Sequence, residues 1–147
     1  MIQRKQSVYL LLAFIASVLC LYLPLGSFEL AGMGKEPVLY NLAIISGDGA
    51  MQFRYCVLFV LLSASALLSL VTIFLYKSRK LQMRLCKVNL LLLVLWYAML
   101  MFVVLTNANF RQEHQVILPF ASAVMVWLAH RGVAADERLV KAADRIR

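Results

Sequence analysis

Four long apolar runs punctuate the chain, covering 7–25, 55–76, 88–106 and 115–130. The first three approach the about 20 residues that a helix needs to cross a hydrocarbon core of about 30 Å. The fourth is shorter, its 15 residues from Gln115 to Ala129 giving about 22 Å at helical rise, so spanning with it calls for tilt-free insertion, local bilayer thinning or a snorkelling Arg131. The polar segments between them differ in kind: a long loop at 26–54, a basic loop at 77–87, a short polar turn from Asn107 to His114 and a tail at 131–147. Spans joined by short links are antiparallel neighbours. The pattern predicts one domain over 1–147, an all-α membrane protein with four transmembrane helices in an antiparallel bundle and a short cytoplasmic amphipathic C-terminal helix.

Composition strengthens this reading. Hydrophobic residues make up 63 % of the chain and charged residues 15 %, against roughly 45–50 % and 25 % in soluble domains. A water-soluble fold of this size has too little polar surface to cover so much apolar material, so lipid is the expected solvent. The net charge of +8 comes from Lys and Arg at the ends of the apolar runs. That placement is an orientation signal, unlike the water-facing basic platform that nucleic acid requires. With both termini and the 77–87 loop in the cytoplasm, that side holds all of the Lys and Arg except Lys35, Arg54 and Arg111. The positive-inside bias therefore predicts cytoplasmic N- and C-termini.

The first run has a rival reading as a cleaved signal peptide, but it is long for that role and no clean small-x-small site follows it. Ala13, Ala16, Ser17 and Cys20 share one helical face, a small-residue seam where another helix can approach closely. In the 26–54 loop, Ser46-Gly-Asp-Gly49 is a turn signal. The segment Val38 to Ile45 is too short to span; it reads either as a strand pairing with the stretch from Met51 or as an interfacial segment. Cys20, Cys56 and Cys86 show neither ligand spacing nor an even disulfide framework.

Polar residues inside the runs have bland readings. Ser65 and Ser69, four apart on the second run, are expected to bond back to their own helix rather than line a pathway. Asn89 sits near the cytoplasmic end of the third run, within snorkelling reach. Trp96 and Tyr97 lie mid-span, where their N–H and O–H need partners on other helices. His114 and His130 bracket the fourth run, too far apart on one helix to share a metal. No metal, haem or other cofactor is expected.

The tail is patterned. Gly132 reads as a break after the fourth span. Asp136 and Glu137 then open a new helical segment that ends in Lys141, Arg145 and Arg147, in accord with the helix dipole. Leu139, Val140, Ala143 and Ile146 form its apolar stripe. Asp136, Arg138, Leu139, Asp144, Arg145 and Ile146 are the candidate cytoplasmic interaction residues, expected to contact the inner leaflet, a partner or the rest of the chain.

The opening Met1-Ile-Gln-Arg4 and the closing Asp136-Glu-Arg-Leu-Val-Lys-Ala-Ala-Asp-Arg-Ile-Arg147, with four spans between, resemble an uncharacterised bacterial four-span integral membrane protein family, domain of unknown function 4293. The resemblance covers essentially the whole chain. It implies a bacterial inner-membrane location and brings no catalytic residues or substrate.

No stretch holds a nucleophile with its base, paired carboxylates or a ligand cluster; Glu113 and His114 are adjacent and point to different sides. The chain is therefore expected not to be an enzyme. A non-enzymatic accessory or scaffold protein is the expected role, its partners the bilayer and another membrane protein or a second copy, without nucleic acid. A small oligomeric transporter or channel-like protein is the alternative, weakened by the lack of ionisable residues within the runs.

Overall fold

The computed structural model, which describes residues 3–29, 35–75 and 78–144, is mostly helical. Its four helices are α1 (Gln3–Tyr22), α2 (Cys56–Phe74), α3 (Arg79–Thr106) and α4 (Ile117–Asp144), the last preceded by a 3-10 turn, His114–Val116. Three segments are long and apolar enough to cross a membrane: Cys56–Phe74, Arg79–Thr106 and His114–Val140. The apolar part of α1, Gln6–Tyr22, is shorter.

The helices close into a ring in which α1 packs on α2 and α4, and α3 packs on the same two. α1 and α4 run antiparallel, since Gln6 meets Asp136 and Ser17 meets Ser122. α2 and α3 do likewise, with Tyr55 meeting Asn107 and Ser65 meeting Asn89. The buried positions of α1 are Gln6, Leu10, Ala13, Ser17 and Cys20, steps of three and four that keep one stripe facing the ring. Ala16, at the edge of that seam, is only half-buried.

The distribution of polarity is inverted relative to a soluble bundle. Buried positions include Gln6, Ser17, Ser65, Ser69, Asn89 and Ser122, whereas Val60, Leu67, Phe74, Leu91, Val94 and Leu105 face outward, each at least 59 % exposed. Such a surface is stable only where the surroundings are themselves apolar.

One end of the ring carries a five-stranded antiparallel sheet in the order β4-β3-β2-β1-β5. Four strands precede α2: β1 (Gly26–Phe28), β2 (Val38–Leu39), β3 (Ile44–Ile45) and β4 (Met51–Gln52). Of the two readings of Val38 to Ile45, the strand is the one observed. The segment folds on itself as β2 and β3, and Ile44 and Ile45 pair with Gln52 and Met51. Leu25, Leu39 and Ile44 join Leu58, Leu62, Leu93 and Trp96 in one core cluster, so sheet and helices share their packing.

Three expectations are corrected. The turn from Asn107 to His114 contains β5 (Phe110–Gln112), which pairs with β1. This pairing depends on Gly26, where a Cβ would collide with the carbonyl oxygen of Arg111. The basic stretch 77–87 is not a loop beyond Ser78: Arg79, Lys80, Arg84 and Lys87 occupy the first turns of α3. Arg, Lys, Leu, Gln and Met are strong helix formers, and no Gly or Pro interrupts them. The tail, finally, is no separate short helix, because α4 runs unbroken through Gly132 to Asp144. Gly132 serves a close approach rather than a stop, as a Cβ there would sit 3.0 Å from Cγ of Gln6 on α1.

Candidate functional site

The polar side chains of the interior meet in pairs along the seams between helices. At the sheet end, Asn41 is fully buried in the turn between β2 and β3. Its Nδ2 donates to the carbonyl oxygen of Cys20 at 2.6 Å, and its Oδ1 accepts from Trp96 Nε1 at 3.0 Å. One amide thereby ties the C-terminal turns of α1 to α3. Trp96 thus finds the partner that its mid-run position demanded, in a loop rather than a helix. Tyr97, edge-on to Trp96, donates to the carbonyl oxygen of Val116 at 2.6 Å.

The small-residue seam of α1 is answered by Ser122 on α4. Ser122 Oγ donates to the carbonyl oxygen of Ala13 at 2.8 Å and lies 2.9 Å from Ser17 Oγ. A hydroxyl has a single proton, so Ser17 is the donor in the second contact. On the opposite seam, Ser65 Oγ donates to Asn89 Oδ1 at 2.5 Å, and Asn89 Nδ2 donates to Ser69 Oγ at 2.7 Å. Ser69 in turn bonds back to the carbonyl oxygen of Ser65 at 3.1 Å. Asn89 therefore does not snorkel: it is 1 % exposed, and two hydroxyls one turn apart on α2 match its amide.

Away from the sheet, Gln6 Nε2 donates to the Asp136 carboxylate at 2.5 Å. This contact engages Asp136 within the chain. Arg138 and Leu139 are exposed on the last turns of α4. Asp144 ends the helix, and Arg145 and Ile146 lie outside the described residues.

Two buried polar atoms, Gln115 Oε1 and His130 Nε2, have no hydrogen-bond partner among the described residues. The three cysteines are free. Among the described residues, no group of three or more His, Cys, Asp or Glu side chains could hold a metal. His114 is exposed at the sheet end and His130 half-buried in α4.

Between the sheet and the helix ends lies an open recess of about 200 Å³ that sequence reading did not reveal. Phe28, Ile44, Gln52, Arg54, Tyr55 and Asn107 are among the residues lining it. Arg54 packs its guanidinium over the Tyr55 ring at 5.6 Å, and Asn107 Nδ2 donates to the Tyr55 hydroxyl at 3.3 Å. The strands behind the recess are two or three residues long, and no hydrophobic periodicity can be read over so few positions.

Chemically, apart from Gln115 Oε1 and His130 Nε2, the interior side chains described above pair donors with acceptors. Such an arrangement fixes helix register and distance, and its members are already engaged with one another.

A search of the curated proteins finds no match to this chain. The family model described as Domain of unknown function (DUF4293) matches residues 2–146. The chain belongs to that family.

Proposed function

We propose that this chain is a multi-pass protein of the bacterial inner membrane, a four-span antiparallel bundle with both termini in the cytoplasm. Its role in this reading is that of a non-enzymatic accessory or scaffold in a membrane complex. The observation that carries the proposal is the mutual engagement of the interior polar groups. Ser17 with Ser122, Ser65 and Ser69 with Asn89, and Asn41 with Trp96 use their hydrogen-bonding capacity on each other. A transport path needs such groups available to a passing solute or to water.

The bias of Lys and Arg toward one side supports the orientation. The apolar part of α1 is short, yet 17 residues give about 26 Å of helix, enough for a thin region of bilayer. Partner contact falls on Arg138 and Leu139, both exposed near the end of α4, together with Asp144, Arg145 and Ile146. The partner is another membrane protein or a second copy, not nucleic acid. Photocrosslinking from Leu139 in intact cells, read by mass spectrometry, tests this. One dominant membrane-protein product is expected, and crosslinks to lipid alone would discard the scaffold role.

A small oligomeric transporter is the second reading, favoured by His130 alone. Its Nε2 is buried without a hydrogen-bond partner among the described residues, and an ionisable group in a span is the usual mark of an ion path. Proton or solute flux in reconstituted vesicles, abolished by His130→Leu, would select this reading over the first.

A further inference from the structure

α3 and α4 each change character along their outward faces, and they do so at the same level. On α3 the exposed positions at steps of three and four begin with Lys80, Arg84 and Lys87 and are then apolar from Leu91 to Leu105. On α4 the corresponding stripe is apolar from Ile117 to Trp127 and turns cationic at Arg131 and Arg138. The helices pack side by side, and Cys86 and Leu90 of α3 share one packed cluster with Val126 and Ala129 of α4, which sets Lys87 and Arg131 close to one level. The two apolar-to-cationic boundaries therefore meet. At that boundary the Arg131 guanidinium lies 4.8 Å over the Trp127 ring, which presents the cation beside an aromatic of the kind enriched at membrane–water interfaces.

The charge at this level is unbalanced. Arg79, Lys80, Arg84 and Lys87 crowd the first turns of α3, the positive end of its dipole, where cations are disfavoured. α3 contains no carboxylate, from Arg79 to Thr106. On the facing turns of α4 the carboxylates are Asp136, already held by Gln6, and Glu137, which has an interaction of its own. Anions from outside the chain would relieve this crowding. The apolar stripes below the cations leave an amphiphile, whose tails lie along them, as the anion that fits best.

We propose that the groove between α3 and α4 binds the headgroup of an anionic phospholipid, with Lys87 and Arg131 on its phosphate and Trp127 at the level of its glycerol. The proposal rests on the membrane-spanning reading above. Anionic lipid is favoured over zwitterionic because these three side chains offer two cations and no carboxylate for a choline ammonium. Basic clefts between spanning helices on the cytoplasmic side are suited to such headgroups.

The test places the full chain in nanodiscs of phosphatidylcholine with a minority of phosphatidylglycerol and counts retained lipids by native mass spectrometry. Phosphatidylglycerol is expected to be enriched over its bulk share. Lys87→Gln and Arg131→Gln should each reduce the enrichment about fivefold, the worth of one cation near a charged surface. Arg54→Gln, at the sheet end, should leave it unchanged. Lack of enrichment overturns the proposal, as does equal loss in the Arg54 variant. Displacement of the lipid by inorganic phosphate also overturns it, in favour of a free-anion site. Alkaline washing of membranes separates the two readings. Release of the chain sinks the spanning reading along with this one, whereas retention without lipid enrichment sinks this one alone.

Discussion

Gln6 donates through Nε2 to the carboxylate of Asp136 at 2.5 Å, joining the first turns of α1 to the far end of α4. Asp136 is half-buried there, while Arg138, two positions on, is exposed. A hydrogen bond to a charged acceptor contributes about 1.5–3 kcal/mol. Asp136→Ala is therefore expected to lower the thermal midpoint of the purified protein by about 5–10 °C, on the size scaling for a chain of this length. Arg138→Ala, on the open face, should stay within about 0.5 kcal/mol of the parent. Thermal scans in one detergent compare the two, and equal midpoints for both variants would reject the structural role of Asp136.

Gly132 brings α4 close to α1 beside that bond. A Cβ would meet Gln6 Cγ at 3.0 Å, an atom of a flexible side chain that can shift a little. Gly132→Ala gains up to about 1 kcal/mol of helix propensity and loses some of it in displacing Gln6, so it should be close to neutral. Gly132→Leu has no such room and should cost about 1–3 kcal/mol as overpacking. Denaturant titration of the two variants checks the contrast; a tolerated leucine would mean that the helices are not held at this distance.

Asn41 and Trp96 lock the sheet to the ring. Asn41→Ala removes the acceptor for Trp96 Nε1 and the donor to the Cys20 carbonyl, each costing about 1–3 kcal/mol when left unmet in a buried site. A loss of about 2–4 kcal/mol is expected on that basis, less than the full sum because the vacated space can admit water. The emission of Trp96 should shift as well, read in a Trp127→Phe background so that one indole reports. An unaltered spectrum with unaltered stability would show that the Asn41 bonds contribute nothing.

The long apolar runs were legible because helix formation there needs only length and composition, and every run became a helix. The missed features depend on partners distant in sequence. β5 is three residues long and exists because Gly26 admits the backbone of Arg111. A glycine after a helical run looks the same whether it ends the helix or admits a neighbour, and only Gln6 on another helix decides for Gly132. Asp136 and Arg138 belong to one charged patch in the sequence, and the packing of α1 turns the first inward. Asn41 carried no signal at all, since an Asn in a loop reads as a turn residue unless the buried indole opposite is known.

Asn89 supplies the sharpest test of how such seams are built. Its amide bridges Ser65 and Ser69 on α2, and interhelical hydrogen bonds within membranes average about 0.6 kcal/mol, with a maximum near about 1.7 kcal/mol. Asn89→Leu should therefore cost only about 1 kcal/mol, since each serine can return its hydroxyl proton to a carbonyl of its own helix, as Ser69 already does. Ser65→Ala alone should cost a similar small amount by leaving Asn89 Oδ1 unmatched. The double variant should then cost clearly less than the two singles together, because one interaction is being removed twice. A double-mutant cycle by denaturant titration measures the difference. Strict additivity would mean that Ser65 and Asn89 are neighbours without being coupled, and the seam would owe its register to packing alone.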